Sequence, residues 1–393
     1  MKPLEGLTVL DLSRVLAGPY STMMLADFGA EVIKVEPPGV GDDSRAFGPF
    51  VNGESAYFMS LNRNKRSIVL NLKDPEHVGV FKELVAKVDV VVENYRPGTM
   101  ERLGIGYDVL KQVKPDLIYA ACSGFGDSGP YRLKPAYDVV VQAMGGIMSI
   151  TGPEGSSGYR VGASVGDVVA GIFTAYGIMM ALYHRQATGE GQKVDVAMLD
   201  CQLAILENAI ARYATSGRAP GPLGNRHPSI TPFSAFTSAD GSVIVGAGND
   251  RLWARLCTLL GREDLVSDPR FLTNDDRTQH AEELGEILNQ ELSKDTTDHW
   301  LAKLDEAGIP NAPINTIDRV VSDPHVAARE MIVEVEHPTA GHLSMAGVPV
   351  KMTATPGSVD KPSPLLGADT ASVLQEVLGW DADRAQRFAE DQG

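Results

Sequence analysis

Residues 7–35 read LTVLDLSRVLAGPYSTMMLADFGAEVIKV, and two apolar runs with strand character, residues 7–12 and 31–35, flank a helical period over residues 20–28. A strand, a helix and a second strand in that spacing form a βαβ unit, because the hydrophobic period changes from two to 3.6 and back. Further strand-like runs at residues 88–92 and 117–121 extend the alternation. It predicts an α/β domain with a Rossmann-like parallel sheet covered on both faces, whose ligands gather at the carboxyl ends of the strands. The loops at those ends, residues 13–19, 36–39, 93–98 and 123–126, combine turn formers with polar side chains. The first contains a single glycine, Gly18, where the dinucleotide fingerprint needs three, which speaks against a nicotinamide dinucleotide.

The 393 residues are 43% apolar and 22% charged, enough for two cores, and the formal net charge is -16. So acidic a chain repels nucleic acid and anionic membranes, and an anionic small ligand would need a local basic pocket. Cys122, Cys201 and Cys257 form no CxxC pair and no metal-ligand spacing, which suits a reducing cytoplasm and gives no metal site. The N-terminus, MKPLEGLTVLDLSRV, lacks the unbroken apolar region of a secretory signal. Residues 161–183 carry one charge over membrane-spanning length, but the Asp among repeated Gly and Ala favours a buried central helix over a lipid-facing one.

Beyond that helix, residues 193–198 read as a strand and the chain then as helix to about Tyr213. Residues 215–230 are dense in Gly, Pro, Ser and Asn, and residues 233–246 form a hairpin turning at Asp240-Gly241. Helical periods over residues 253–260 and 281–307 follow, residues 310–320 lead back out, and residues 341–354 read as short strands before a C-terminal helix. The expected organisation is a large domain of residues 1–205 and 330–393, a smaller α+β domain of residues 225–325, and linkers at 206–224 and 326–329.

Asp167 follows Gly166 at the first turn of the long apolar helix, where free N–H groups and the helix dipole favour an ionised carboxylate. Such a residue is ordinarily a cap. The small residues Gly162, Ala163, Ser164 and Gly166 beside it leave room for a ligand, and no cation is nearer in sequence than Arg160, so a nucleophilic carboxylate is the sharper reading.

Read in order, PLEGLTVLDLSRVLAGP from Pro3, GAEVIKVEPPGVGDDSR, YFMSLNRNKRSIVLNLK, VENYRPGTMERLGIGY, PAYDVVVQAMGG, VGDVVAGIFTAYGIMMAL and GNRHPSITPF, ending at Phe233, resemble the class III CoA-transferases, which include formyl-CoA, carnitine and succinyl-CoA dicarboxylate enzymes. The resemblance implies that Asp167 is the nucleophile. It further implies that Val15, Leu16 and Ala17 line the CoA pocket, with Leu70, Lys73, Asn94, Tyr95, Arg102 and Leu103 near the adenosine and phosphates. Tyr137, Asp138, Gly224, Asn225, Arg226 and His227 are the candidate substrate contacts. In the implied mechanism the carboxylate attacks an acyl-CoA thioester, giving a mixed anhydride and CoA thiolate. The thiolate returns to form an aspartyl-CoA thioester, the first acid leaves, and the acceptor acid reverses the sequence with no cofactor beyond CoA itself. N–H groups of residues 224–227 are candidate oxyanion donors, while His227 reads more readily as a structural loop residue than as a catalytic one. An interlocked homodimer is also implied.

Leu16 stands where the formate and oxalate branch has Gln, and Gly224-Asn225-Arg226-His227-Pro228 replaces that branch's glycine run. Those departures argue against oxalate and for succinyl-CoA with a dicarboxylate acceptor, Arg226 reading the distal carboxylate. Two rivals are an α-methylacyl-CoA racemase-like enzyme, disfavoured because Tyr137 occupies the position of its basic His, and a non-catalytic acyl-CoA-binding subunit, disfavoured by the presence of Asp167.

Overall fold

Strands β1 (Thr8–Asp11), β2 (Glu31–Glu36), β3 (Lys65–Val69), β4 (Val90–Glu93), β5 (Ile118–Ser123) and β6 (Lys193–Ala197) form one parallel sheet in the order β3-β2-β1-β4-β5-β6. The order turns back between β1 and β4, so the loops after these two strands flank the crevice where α/β sheets bind ligands. The computed structural model describes residues 1–390. The chain divides into two units, one of Met1–Ile147, Arg160–Thr215 and the chain from Pro324 on, the other of Met148–Tyr159 and Ser216–Asp323.

Alternation along the strands explains why the sheet is covered on both faces. Val9, Val32, Val90 and Val92 pack with α1 (Ala17–Asp27), whereas Leu10, Ile33 and Val91 pack with Phe81 and Leu84 of α2 (Pro75–Val85). The helix α3 (Asp138–Met144) precedes the long α4 (Val165–Thr188), and α5 (Met198–Ala204) follows β6. Close approach of α4 to α1 depends on Gly171, where an added Cβ would lie 2.7 Å from the Ala17 carbonyl oxygen.

By length and composition α4 is apolar enough to cross a membrane. Its Ala170, Thr174, Ala175, Ile178 and Ala181 are buried, but Phe173, Tyr176, Met180 and Tyr183 on other sides are exposed. The expected buried central helix is therefore buried on one face only in this chain.

In the second unit β7 (Phe233–Thr237), β8 (Ser242–Gly246) and β9 (Asn311–Pro313) form an antiparallel sheet in the order β9-β8-β7. The hairpin turns where the sequence placed it. Val243, Val245, Trp253 and Leu256 bury together with Leu284, Leu288 and Leu304, drawn from α6 (Asp250–Leu260), α7 (Ala281–Leu292) and α8 (Thr297–Glu306). The single helical period read over residues 281–307 is thus two helices, because the Thr296 hydroxyl accepts the His299 N–H and caps a new start.

The chain then returns to the first unit through β10 (Ile332–His337) paired with β11 (Gly341–Ala346), and ends in α9 (Thr370–Leu378) and α10 (Ala382–Glu390) where one helix was expected.

Candidate active site

The loops after β1, β4 and β5, with the segment before α3 and the first turn of α4, enclose a cleft of about 190 Å³. Asp167 lines it, as do Val15, Leu16, Ala17, Asn94, Tyr95 and Tyr137. Seven residues chosen from sequence are thereby brought together. The sequence reading missed Arg14, Arg96, Arg132 and Lys134, which also line the cleft and supply the local positive field an acidic chain needs for an anionic ligand. Arg14 and Arg96 lie in loops the sequence had already marked, and their charge was the available signal.

Asp167 differs from its expected state. The helix N-terminus is capped from outside by Asp138, whose Oδ1 accepts the Gly166 N–H at 2.9 Å, while its Oδ2 accepts from Gln142 at 2.8 Å and Arg160 at 3.2 Å. Gly166 is needed there, since an added Cβ would stand 2.7 Å from Val141 Cγ2. No hydrogen bond reaches the Asp167 carboxyl among the described residues. Burial, and then the nearby Asp138 charge, push it up to about 7. The dipole alone suggested an ionised carboxylate, but desolvation and a like charge outweigh it. The result is an unpartnered carboxyl held well above the ordinary carboxylate range.

Around it the cleft is held from below. Asn94 accepts the Arg14 N–H at 2.9 Å and donates to the Arg14 carbonyl at 2.7 Å, clamping the two switch-point loops together, and the Arg14 guanidinium stacks on the Tyr95 ring. Glu93 accepts from the Tyr95 N–H at 2.7 Å and from the Tyr119 hydroxyl, and burial pushes it up to about 7.

The other candidates fall elsewhere. Leu70 is buried in the core under β2 and β3, and Leu103 packs against that core. Lys73 and Arg102 are exposed, the latter donating to Thr99 Oγ1 at 2.9 Å. Residues 224–227 belong to the second unit, where Gly224, Arg226 and His227 donate their N–H groups to the carbonyls of Gly152, Leu223 and Phe233. Three of the four expected oxyanion donors are therefore engaged within the loop's own unit. Asn225 is exposed. The His227 ring accepts the Ser229 N–H and meets Phe233 edge-on, which gives it a structural role in the loop, and Arg226 pairs with Glu154 at 3.1 Å.

A Rossmann-ordered sheet with a carboxyl-bearing cleft at its switch point places the chain among the α/β proteins that bind ligands at their strand ends. Residues 4–370 match the model of CoA-transferase family III, and the chain belongs to that family. It is 43% identical over 389 residues to the succinyl-CoA:glutarate CoA-transferase of Mus musculus, covering 99% of this chain and 89% of that one. It is also 43% identical over 382 residues to the acetyl-CoA:oxalate CoA-transferase of Acetobacter aceti, covering 97% of each. The crystal structure of a CaiB/BaiF family protein from Brucella suis superposes with TM-score 0.85 at 37% identity, covering 96% of this chain and 99% of that one.

Proposed function

We propose that this CoA-transferase moves CoA from succinyl-CoA to a dicarboxylic acid through an aspartyl-CoA thioester on Asp167. The observation that carries the reading is the Asp167 carboxyl itself, unpartnered in a cleft at the sheet's switch point. An ionised Asp167 oxygen attacks the thioester carbon, the C–S bond breaks, and a mixed anhydride and CoA thiolate result. The thiolate then attacks the aspartyl carbonyl, releasing succinate and leaving CoA on the protein. The acceptor carboxylate attacks that thioester, and the same two steps in reverse yield the new acyl-CoA and free Asp167. Every bond broken is an activated acyl bond, so the chemistry closes with CoA as the only carrier.

Arg14, Arg96, Arg132 and Lys134 supply positive charge for the phosphates of CoA. The cleft's small volume suits the thioester end of the ligand. For the acceptor, relatives named for glutarate and for oxalate are equally similar to this chain, so overall identity supports a dicarboxylate without separating long from short. Arg226 remains our candidate for reading the distal carboxylate, and Leu16 our reason for preferring an acid longer than oxalate. The exposed apolar side chains Phe173, Tyr176, Met180 and Tyr183 of α4 support an interlocked homodimer, and an acidic chain of this composition suits the cytoplasm.

Hydroxylamine added during turnover with succinyl-CoA should convert Asp167 to a hydroxamate, read as a mass shift on its peptide. An unmodified Asp167 peptide under turnover would exclude the covalent route.

A further inference from the structure

Val15 forms part of the cleft wall with its backbone at φ 67°, in the left-handed region that a β-branched residue adopts only when its surroundings impose it. Three contacts impose it. The Lys34 ammonium donates to the Ser13 carbonyl at 2.8 Å, Asn94 brackets the Arg14 peptide groups, and Asp42 Oδ1 accepts the Val15 N–H at 3.0 Å. Asp42 is itself fixed, because Oδ2 lies 2.7 Å from Lys34 Nζ with both side chains 1% exposed, and Oδ1 also accepts from the Ser44 N–H and hydroxyl. One buried ion pair thus grips the loop at two points, Ser13 through its cation and Val15 through its anion.

Stability alone does not account for such a pair. Removing two charges from water is costly, and apolar replacements of similar size commonly serve a core equally well. What an apolar pair could not supply is an acceptor aimed at the Val15 N–H. We propose that Lys34 and Asp42 are positioning residues for acyl-CoA binding, holding the loop of residues 13–17 in its ligand-ready shape before the ligand arrives. The proposal rests on the cleft being the CoA site, and it extends that reading to residues that do not line the cleft. Preorganisation of this kind lowers the ordering cost of binding, so its loss should appear in the affinity for acyl-CoA rather than in the chemical step.

The test compares two double variants, neither of which leaves a buried charge unpaired. Lys34→Met with Asp42→Leu removes the acceptor, whereas Lys34→Met with Asp42→Asn keeps an oxygen for Val15. With succinyl-CoA and glutarate, the Leu variant should raise the KM for succinyl-CoA about tenfold with kcat and the glutarate KM within about threefold, and the Asn variant should recover most of that loss. Equal kinetics in the two variants would overturn the proposal, as would losses in kcat and both KM values that follow a fall in melting temperature. Hydrogen exchange on the unmutated protein covers the case in which neither variant folds. The Val15 amide should be protected already without ligand, and free CoA should further protect the loops after β1 and β4. A Val15 amide that is open until CoA is added defeats the positioning role while leaving the cleft as the CoA site. Absence of CoA protection anywhere in the cleft would instead refute the site itself.

Discussion

The two units bury charge in opposite ways. Beneath the strand ends of the first, Asp11, Lys34, Glu36, Asp42 and Lys65 are all at most 3% exposed and are joined by ion pairs such as Lys65–Asp11 at 3.0 Å and Lys34–Asp42. Burial would raise the Asp42 carboxyl, but the Lys34 ammonium and the N–H donors of Ser44 and Val15 overcome this and hold it at about 2. The second unit has an apolar core, and its fully buried Arg277 donates to the carbonyls of Thr231, Phe271 and Leu272, with one nitrogen reaching the exposed Asp250. This cluster in the first unit lies behind the cleft loops, apart from the buried Arg63–Asp27 pair; in the second unit charge ties a loop to a core. Interdependent buried charges fix geometry at a site, and among the described residues Asp167 stands apart from them as the cleft carboxyl without a partner of its own.

The largest expected effect tests that separation directly. Asp167→Ala should lower turnover by about a thousandfold or more while CoA binding, measured by calorimetry, stays within a few fold, because the substitution removes the proposed nucleophile and spares the cations of the cleft. Turnover above about a tenth of the unmutated value would end the nucleophile assignment.

The buried pairs should respond through stability. Lys65→Met leaves Asp11 buried beside one cation fewer and should cost about 3–5 kcal/mol in denaturant unfolding. Arg277→Met leaves carbonyls without donors but strands no buried carboxylate, and should cost about 1–3 kcal/mol. Equal losses would erase the contrast between the units.

Asp167 should behave oppositely, since a carboxyl whose pKa is raised by folding weakens the fold as pH climbs from its ordinary value near 4 to about 7. Asp167→Asn should therefore stabilise the protein above pH 7 by roughly 2–4 kcal/mol, with little gain below pH 4. In the active protein, log kcat/KM should rise with pH and level off near pH 7. Asp138→Asn, which removes the neighbouring charge, should move that midpoint toward acid. A midpoint unchanged in this variant would detach Asp138 from the electrostatics of the site.

Much of this was legible in the sequence. Strands β1, β2 and β4 carry runs of Val, Leu and Ile, β5 is an apolar run of Ile, Tyr, Ala and Cys, and the loops after β1, β4 and β5 mark the cleft. By contrast β3, read KRSIV, escaped because Lys65 and Arg66 break its apolar pattern, and their pairing with Asp11 and with Glu31 and Glu376 is visible only in three dimensions. The strand β9 fell within residues 310–320, which were read only as leading back out; it contains Pro313, and as an edge strand it tolerates the missing N–H. The charge state of Asp167 was not legible either. It depends first on burial in the folded cleft and then on the charge of Asp138, 29 positions earlier, which takes over the capping of α4.

A selective effect, confined to one class of acid, sharpens what the second unit contributes. Arg226 pairs with Glu154, whose side chain is 55% exposed, so the pair is solvent-screened and can be exchanged for another carboxylate at little cost. If that carboxylate is the far end of a diacid, Arg226→Lys keeps the charge but loses the fork that grips both oxygens. Diacids should then lose about 1.5–3 kcal/mol in kcat/KM, the worth of a charge-assisted hydrogen bond, while monoacids of equal length lose almost nothing. Glu154→Gln supplies the complement, because freeing Arg226 from its partner should improve diacids and leave monoacids unchanged. Parallel losses for both acid classes in Arg226→Lys, with no gain in Glu154→Gln, would leave the Arg226–Glu154 pair as a tie within the second unit and return acid selection to the cleft around Leu16 and Tyr137.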